Sequence, residues 1–338
     1  MKSRTTTLLL TLLITTPFSL CTGADLLKSI AEKKKDSVKE FDLAADPAAQ
    51  SKQFVNSKKV TALKGVKRVA IPNFQVEFAV ENSASAFGGG SGGTASVKSK
   101  AMLVGVDGPI FEKIANELYD KLVNDLTAAG IEVLPYDKWK ENEHYLKIKS
   151  KFKTGPVEMR TQDGRSVFYS AHGQPMYFFG KDTRIGGFDA IGQALTTVQP
   201  QNIEPGFARN IEATLLSVRM VVDIAKQSSS GHHLMGGYAS VKTAAQLSIM
   251  AEFTDYKFLT PKNGMAVVSL SKHLNSSEQI FELKKSKDLG QDLSAVGGAN
   301  TSKAEYVLIT KPEAYSKAVS AHLSAAHAMF MTVVKENL

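Results

Sequence analysis

One run of residues invites a chemical reading before any other: Gly88-Gly89-Gly90-Ser91-Gly92-Gly93. Gly88, Gly90 and Gly93 satisfy the G-x-G-x-x-G spacing with which a backbone turn cradles a pyrophosphate. Gly89, Ser91 and Gly93 satisfy the G-x-S-x-G spacing that presents a nucleophilic serine. Both chemistries require a strand that turns directly into a helix, and the next helical periodicity begins only near Ile110. No Lys-Ser/Thr pair follows the last glycine, so the run is not a P-loop either. A flexible Gly/Ser-rich loop is expected here, without cofactor or catalytic serine.

Other candidate groups fare no better. His232 and His233 are adjacent, and adjacent strand positions point to opposite faces, a poor geometry for a single metal. His322 and His327 lie five apart in a helical pattern, whereas a spacing of four would put both imidazoles on one face. Glu77 with Glu81, and Asp182 with Asp189, supply carboxylates but no rigid separation that defines an acid–base pair. Tyr169, Tyr177, Phe178 and Phe179 form an aromatic cluster, expected to pack beneath hairpins rather than to stack on a glycan. No catalytic, cofactor-binding or metal-ligating residue is therefore assigned. Gly88, Gly90, Gly93, His232 and His233 are retained as candidate contact residues, in loops 86–100 and 226–237, because loops on a rigid sheet commonly carry binding.

The elements that must hold these loops are partly written in the periodicity. Arg68 to Phe74 is expected to form a buried strand, extended by Val76 to Val80 past Pro72. Ile110, Phe111, Ile114, Ala115, Leu118, Leu122 and Leu126 recur at helical spacing, Gly130 supplies a stop, and 131–134 is the next strand. A hairpin is expected around 161–164, joining 157–160 to 166–170. Residues 215–225 and 239–250 alternate with period two and predict one long antiparallel hairpin. Asn263-Gly264 leads into a strand over 265–270, and 279–283 is a further strand candidate. Thr310-Lys311-Pro312-Glu313 has capping-box spacing ahead of a closing helix whose apolar face runs from Tyr315 to Phe330 and beyond. The expected class is α+β: a mostly antiparallel sheet with long hairpins, covered by a few helices. The expected division is 1–23, a mobile arm over 24–60, and a domain over 61–338 with a subregion inserted at 140–210.

Compartment follows from the beginning of the chain. Lys2 and Arg4 precede the apolar run Leu8 to Ile14, then Pro17 and the small residues Cys21-Thr22-Gly23-Ala24. This is the pattern of a secretory signal peptide, with a cut expected after Gly23 or Ala24. Lipidation at Cys21 is disfavoured because Leu20 and Phe18 sit where smaller residues belong. The cut removes Lys2 and Arg4 and no acid, which lowers the formal net charge from +8 to +6. It also removes the single cysteine, and an exported chain without cysteine fits a bacterial periplasm, or the periplasmic side of the outer membrane. Charges are interspersed, and no nucleic-acid partner is expected there.

The string Val66-Lys67-Arg68-Val69-Ala70-Ile71-Pro72-Asn73-Phe74 resembles the opening strand of the CsgG-type curli secretion channel family and its periplasmic relatives. The Gly-rich segment, the helix over 110–129, Ile131-Glu132-Val133-Leu134, the later hairpin with Gly236-Gly237, and Asn263-Gly264-Met265-Ala266-Val267 follow in similar order, over about residues 66–335. The resemblance implies an envelope protein that assembles or docks, often as a ring, and it transfers no site residue. The expected function is a non-enzymatic periplasmic component or accessory of an envelope or secretion assembly. Its expected partners are envelope proteins, further copies of itself included. Membrane contact through the long hairpin is weighed and disfavoured, because that hairpin lacks aromatic girdles. A periplasmic glycan-binding protein or hydrolase is the alternative, and a small-molecule binding protein a third reading.

Overall fold

A computed structural model describes residues 40–90, 93–161, 163–178, 199–232, 237–262, 264–286, 292–296 and 298–338. Residues 41–338 form one unit around a mixed, mostly antiparallel sheet that has fourteen strands among the described residues. Its axis is β2 (Arg68–Gly90), which runs beside β7 (Thr214–His232) in parallel from Val69 and Thr214 to Phe78 and Val222. That ladder is interrupted between Ala70 and Asn73, where Pro72 has no N–H to donate. β9 (Asp255–Thr260), β10 (Gly264–Leu270) and β1 (Val55–Lys58) continue the sheet from β7 in antiparallel fashion. β4 (Glu132–Leu134) adds to β2 in parallel, and the hairpin of β5 (Val157–Thr161) and β6 (Gly164–Tyr169) adds to it antiparallel.

Beyond Phe78 and Val222 the two central strands exchange partners. β2 pairs with β3 (Gly93–Val104) over Glu81 to Gly90, and β3 pairs in parallel with β14 (Gly298–Ile309). β7 pairs with β8 (Tyr238–Ile249) out to His232, and β8 also pairs with β13 (Asp292–Val296). The sheet thus splits into two three-stranded leaves lying face to face. Ala86, Ala95, Val97, Ala101, Ala239 and Val241 are buried where they meet, and the Ser99 and Thr243 hydroxyls lie 2.7 Å apart. Small side chains permit a spacing closer than the usual ~10 Å between stacked sheets. A Cβ added at Gly88 would stand 2.1 Å from the carbonyl oxygen of Tyr238, and one at Gly231 would stand 2.2 Å from that of Phe87.

The residues expected to form loose loops are therefore strands. Gly88 and Gly90 lie in β2, Gly93 opens β3 and His232 ends β7, while Ser91, Gly92 and His233 lie outside the described residues. Buried positions as small or polar as Ala86, Gly88, Ala95 and Ser99 hide the alternation that normally marks a strand. The N-terminal arm also needs correction, since residues 41–60 belong to the unit. α1 (Pro47–Phe54) is capped by Asp46, buries Phe54 against Phe41, and hands the chain to edge strand β1.

One face of the sheet carries α2 (Gly108–Ala128) and α5 (Pro312–Lys335). α2 buries Phe111, Ile114, Ala115, Leu118, Leu122 and Leu126 at the expected spacing, the larger of them contributing roughly 1.5–3 kcal/mol each of gross burial. It ends at Gly130, whose φ of +81° only glycine adopts without strain. The N-cap of α5 is Lys311, and no side chain closes the capping box expected from Thr310. The opposite face carries a smaller core. There α3 (Glu143–Lys147) and α4 (Pro200–Asn210) gather Trp139, Tyr145, Ile148, Tyr177 and Phe207 over Ala70 and Leu215.

Candidate functional site

Two regions are built in ways that packing alone does not require. The first is the split arm. Its leaves extend about ten residues past the divergence, or ~30 Å at the usual rise per strand residue. Lys98, Lys226, Lys242 and Lys303 are exposed along it, so its outer surface is hydrated while its small apolar residues are spent on the facing leaf. At its end, Phe87 is 59 % exposed and Tyr238 36 % exposed, on different leaves. Large exposed aromatics beside backbone-to-backbone glycine contacts are the arm's most distinctive chemistry.

The second region escapes sequence reasoning. Asn73, Gln75 and Glu77 alternate along β2 with Phe74, Val76 and Phe78, which face the helices. Paired residues on neighbouring strands share a face, and the register sets Asn73 beside Ser217 and Ser217 beside Lys257. The next row is Gln75, Arg219 and Asp255. Two polar rows therefore cross three interior strands on the side covered by α4 and Tyr177. A cavity of about 370 Å³ remains above them, walled also by Phe178, Leu215, Phe253, Leu259 and Met265.

Its polar groups are held firmly. Gln75 Nε2 donates to the Tyr177 carbonyl at 2.7 Å and to Asn73 Oδ1 at 3.1 Å, while Asn73 Nδ2 donates to the same carbonyl at 3.0 Å. At the other end of that residue, the Tyr177 hydroxyl donates to Glu204 Oε1 at 2.7 Å. Burial pushes the Glu204 carboxyl above its ordinary range, opposed by the Tyr177 hydrogen bond and the charge of Lys257. Burial beside Glu204 pushes the Tyr177 phenol well up in turn. Arg219 is clamped: Nη2 donates to the fully buried Glu77 at 2.8 Å, the other Glu77 oxygen accepts from Ser166 at 2.8 Å, and the guanidinium lies 5.2 Å from the Phe253 ring. Phe253 adopts φ +72°, a strained value for an aromatic residue, and it is one wall of the cavity.

The remaining sequence candidates disperse. Glu81 pairs with Lys100 at 2.9 Å and with Arg165 at 3.6 Å, away from the buried Glu77–Arg219 pair. His322 is buried with Nδ1 2.8 Å from the Ala318 carbonyl. His327 sits between the Tyr256 hydroxyl and Asp125, each at 2.7 Å. Tyr169 joins the main core and Tyr177 the smaller one, Phe178 borders the cavity, and Phe179, Asp182 and Asp189 lie outside the described residues. No group of three or more metal-ligating side chains converges among the described residues, and no described helix is long and apolar enough to cross a membrane. No family model, curated protein or solved structure matches the chain.

Proposed function

We propose that this protein is a non-enzymatic component or accessory of a bacterial envelope assembly, exported to the periplasm, that docks other envelope proteins through its split arm. The observation that carries the reading is the paired display of Phe87 and Tyr238 at the end of an arm whose interior is filled by small side chains and glycine contacts. A close-packed arm of this kind presents its aromatics at low entropic cost, and rigid aromatics dominate protein contacts. The order of elements that resembles the CsgG-type family favours the same class of role. Further copies of the chain are among the partners the arm is proposed to meet.

The reading is tested by comparing the native complex size of the exported protein with that of a Phe87→Ser/Tyr238→Ser variant in the same cells. The expected result is a complex larger than one chain that collapses in the variant, at unchanged Tm of the purified protein. Migration as a single chain in both, or an identical complex in both, would contradict it.

A further inference from the structure

The cavity over the polar rows is lined by two acceptors that no donor among the described residues meets. Gln75 is 3 % exposed and Glu204 7 % exposed, and both line the cavity. Gln75 spends its amide N–H groups on Tyr177 and Asn73, and Glu204 spends Oε1 on the Tyr177 hydroxyl. Gln75 Oε1 and Glu204 Oε2 receive no hydrogen bond among the described residues, and Glu204 has no cation within ion-pair distance there. Neither oxygen is sealed from solvent, so both are open to a donor that enters the cavity. Tyr177 holds Gln75 at its carbonyl end and Glu204 at its hydroxyl end, so the two acceptors are set apart along one rigid side chain.

Charge decides what fits. Arg219 is matched by Glu77, and Lys257 lies 3.2 Å from Asp255. Lys257 also acts on Glu204 by its charge, but its ion pair is with Asp255, which leaves Glu204 as an acid with no ion-pair partner among the described residues in a cavity walled also by Phe178, Phe253, Leu215 and Met265. An anionic ligand would face that carboxylate, and an apolar one would leave both acceptors bare. A cation on an apolar body satisfies the carboxylate and covers the walls, aromatic rings included. At about 370 Å³ the space is at the small end of the ~300–1,000 Å³ typical of ligand sites, which limits the occupant to a small molecule.

We propose that this cavity is a binding site for a small primary amine on an apolar body, its ammonium held by Glu204 and a second hydrogen-bond donor turned toward Gln75. The site is independent of the arm, and either proposal survives the failure of the other.

The test is calorimetric titration of the purified full chain with tyramine, beside tyrosol, the same ring and hydroxyl with an alcohol in place of the amine. Tyramine is expected to bind at least tenfold more tightly than tyrosol. Glu204→Gln keeps an acceptor for Tyr177 and is expected to abolish that preference without changing tyrosol binding. Met265→Trp, at the exposed rim, is expected to weaken both ligands while leaving the Tm unchanged. Tyramine affinity is also expected to fall on acidification, as Glu204 takes up a proton. Equal binding of the two molecules, an undiminished preference in Glu204→Gln, or absence of tyramine binding at millimolar concentration would each overturn the proposal.

Discussion

Acidification offers a sharp test of the packing between the helices and the sheet. His327 on α5 lies in the core between the Tyr256 hydroxyl on β9, 2.7 Å from Nδ1, and the Asp125 carboxylate on α2, 2.7 Å from Nε2. A neutral ring with its proton on Nε2 satisfies both neighbours, accepting from the tyrosine and donating to the carboxylate. Burial lowers its pKa to about 4, outweighing the raising effect of Asp125; the nearby charges of Lys121 and Lys335 act in the lowering direction. The unfolded chain therefore takes up a proton at this residue near pH 6.5, well before the folded chain does, and stability must fall as pH drops through that window. With folded and unfolded values of about 4 and about 6.5, the loss between pH 7 and pH 5 is about 2 kcal/mol. His322, whose pKa burial also lowers, acts with the same sign, so the His327 contribution must be isolated. His327→Gln does this, because the amide reproduces one donor and one acceptor without titrating near neutrality. Urea denaturation at both pH values should show a smaller acid-induced loss in the variant, by about 2 kcal/mol. Equal losses in the two proteins, or a wild type that gains stability at pH 5, would refute the neutral buried imidazole.

Gly88→Ala forces a Cβ to within 2.1 Å of the Tyr238 backbone and should cost about 1–3 kcal/mol as the leaves are prised apart. Hydrogen exchange should quicken across β3 and β8 while α2 stays protected. Arg219→Met leaves Glu77 charged and buried and should destabilise by about 3–5 kcal/mol in urea, whereas adding Glu77→Leu should restore much of the loss. N-terminal sequencing of the full chain after expression in a bacterium should begin at Ala24 or Asp25; an intact Met1 would contradict the secretory reading.

Legibility in the sequence tracked side-chain size. α2 and α5 were readable because large apolar residues recur on one face, and β7 and β8 because Leu216, Val218, Met220 and Leu247, Ile249 alternate with smaller or polar neighbours. The segment from Asn82 to Lys100 was not readable as strand. Its buried positions include Ala86, Gly88, Ala95, Val97 and Ser99, which let two leaves approach, and such residues look like loop composition. The cavity was hidden for a different reason. Pro72-Asn73-Phe74-Gln75-Val76-Glu77-Phe78 shows the alternation of a sheet with one wet face, and only the pairing with β7 and β9 and the cover from α4 and Tyr177 reveal that this face is buried. Residues 41–60 looked like an arm because few large apolar residues, chiefly Phe41 and Phe54, and a four-residue edge strand attach them.

Docking through the split arm is tested most directly by site-specific photo-cross-linking in bacterial cells that express the full chain. A photoreactive residue is placed in turn at Phe87, at Tyr238 and at Leu146, the last exposed on α3 beneath the smaller core. The account predicts a discrete protein adduct from positions 87 and 238 and none from 146. Adducts of equal yield from all three positions, or none from the arm, would contradict it.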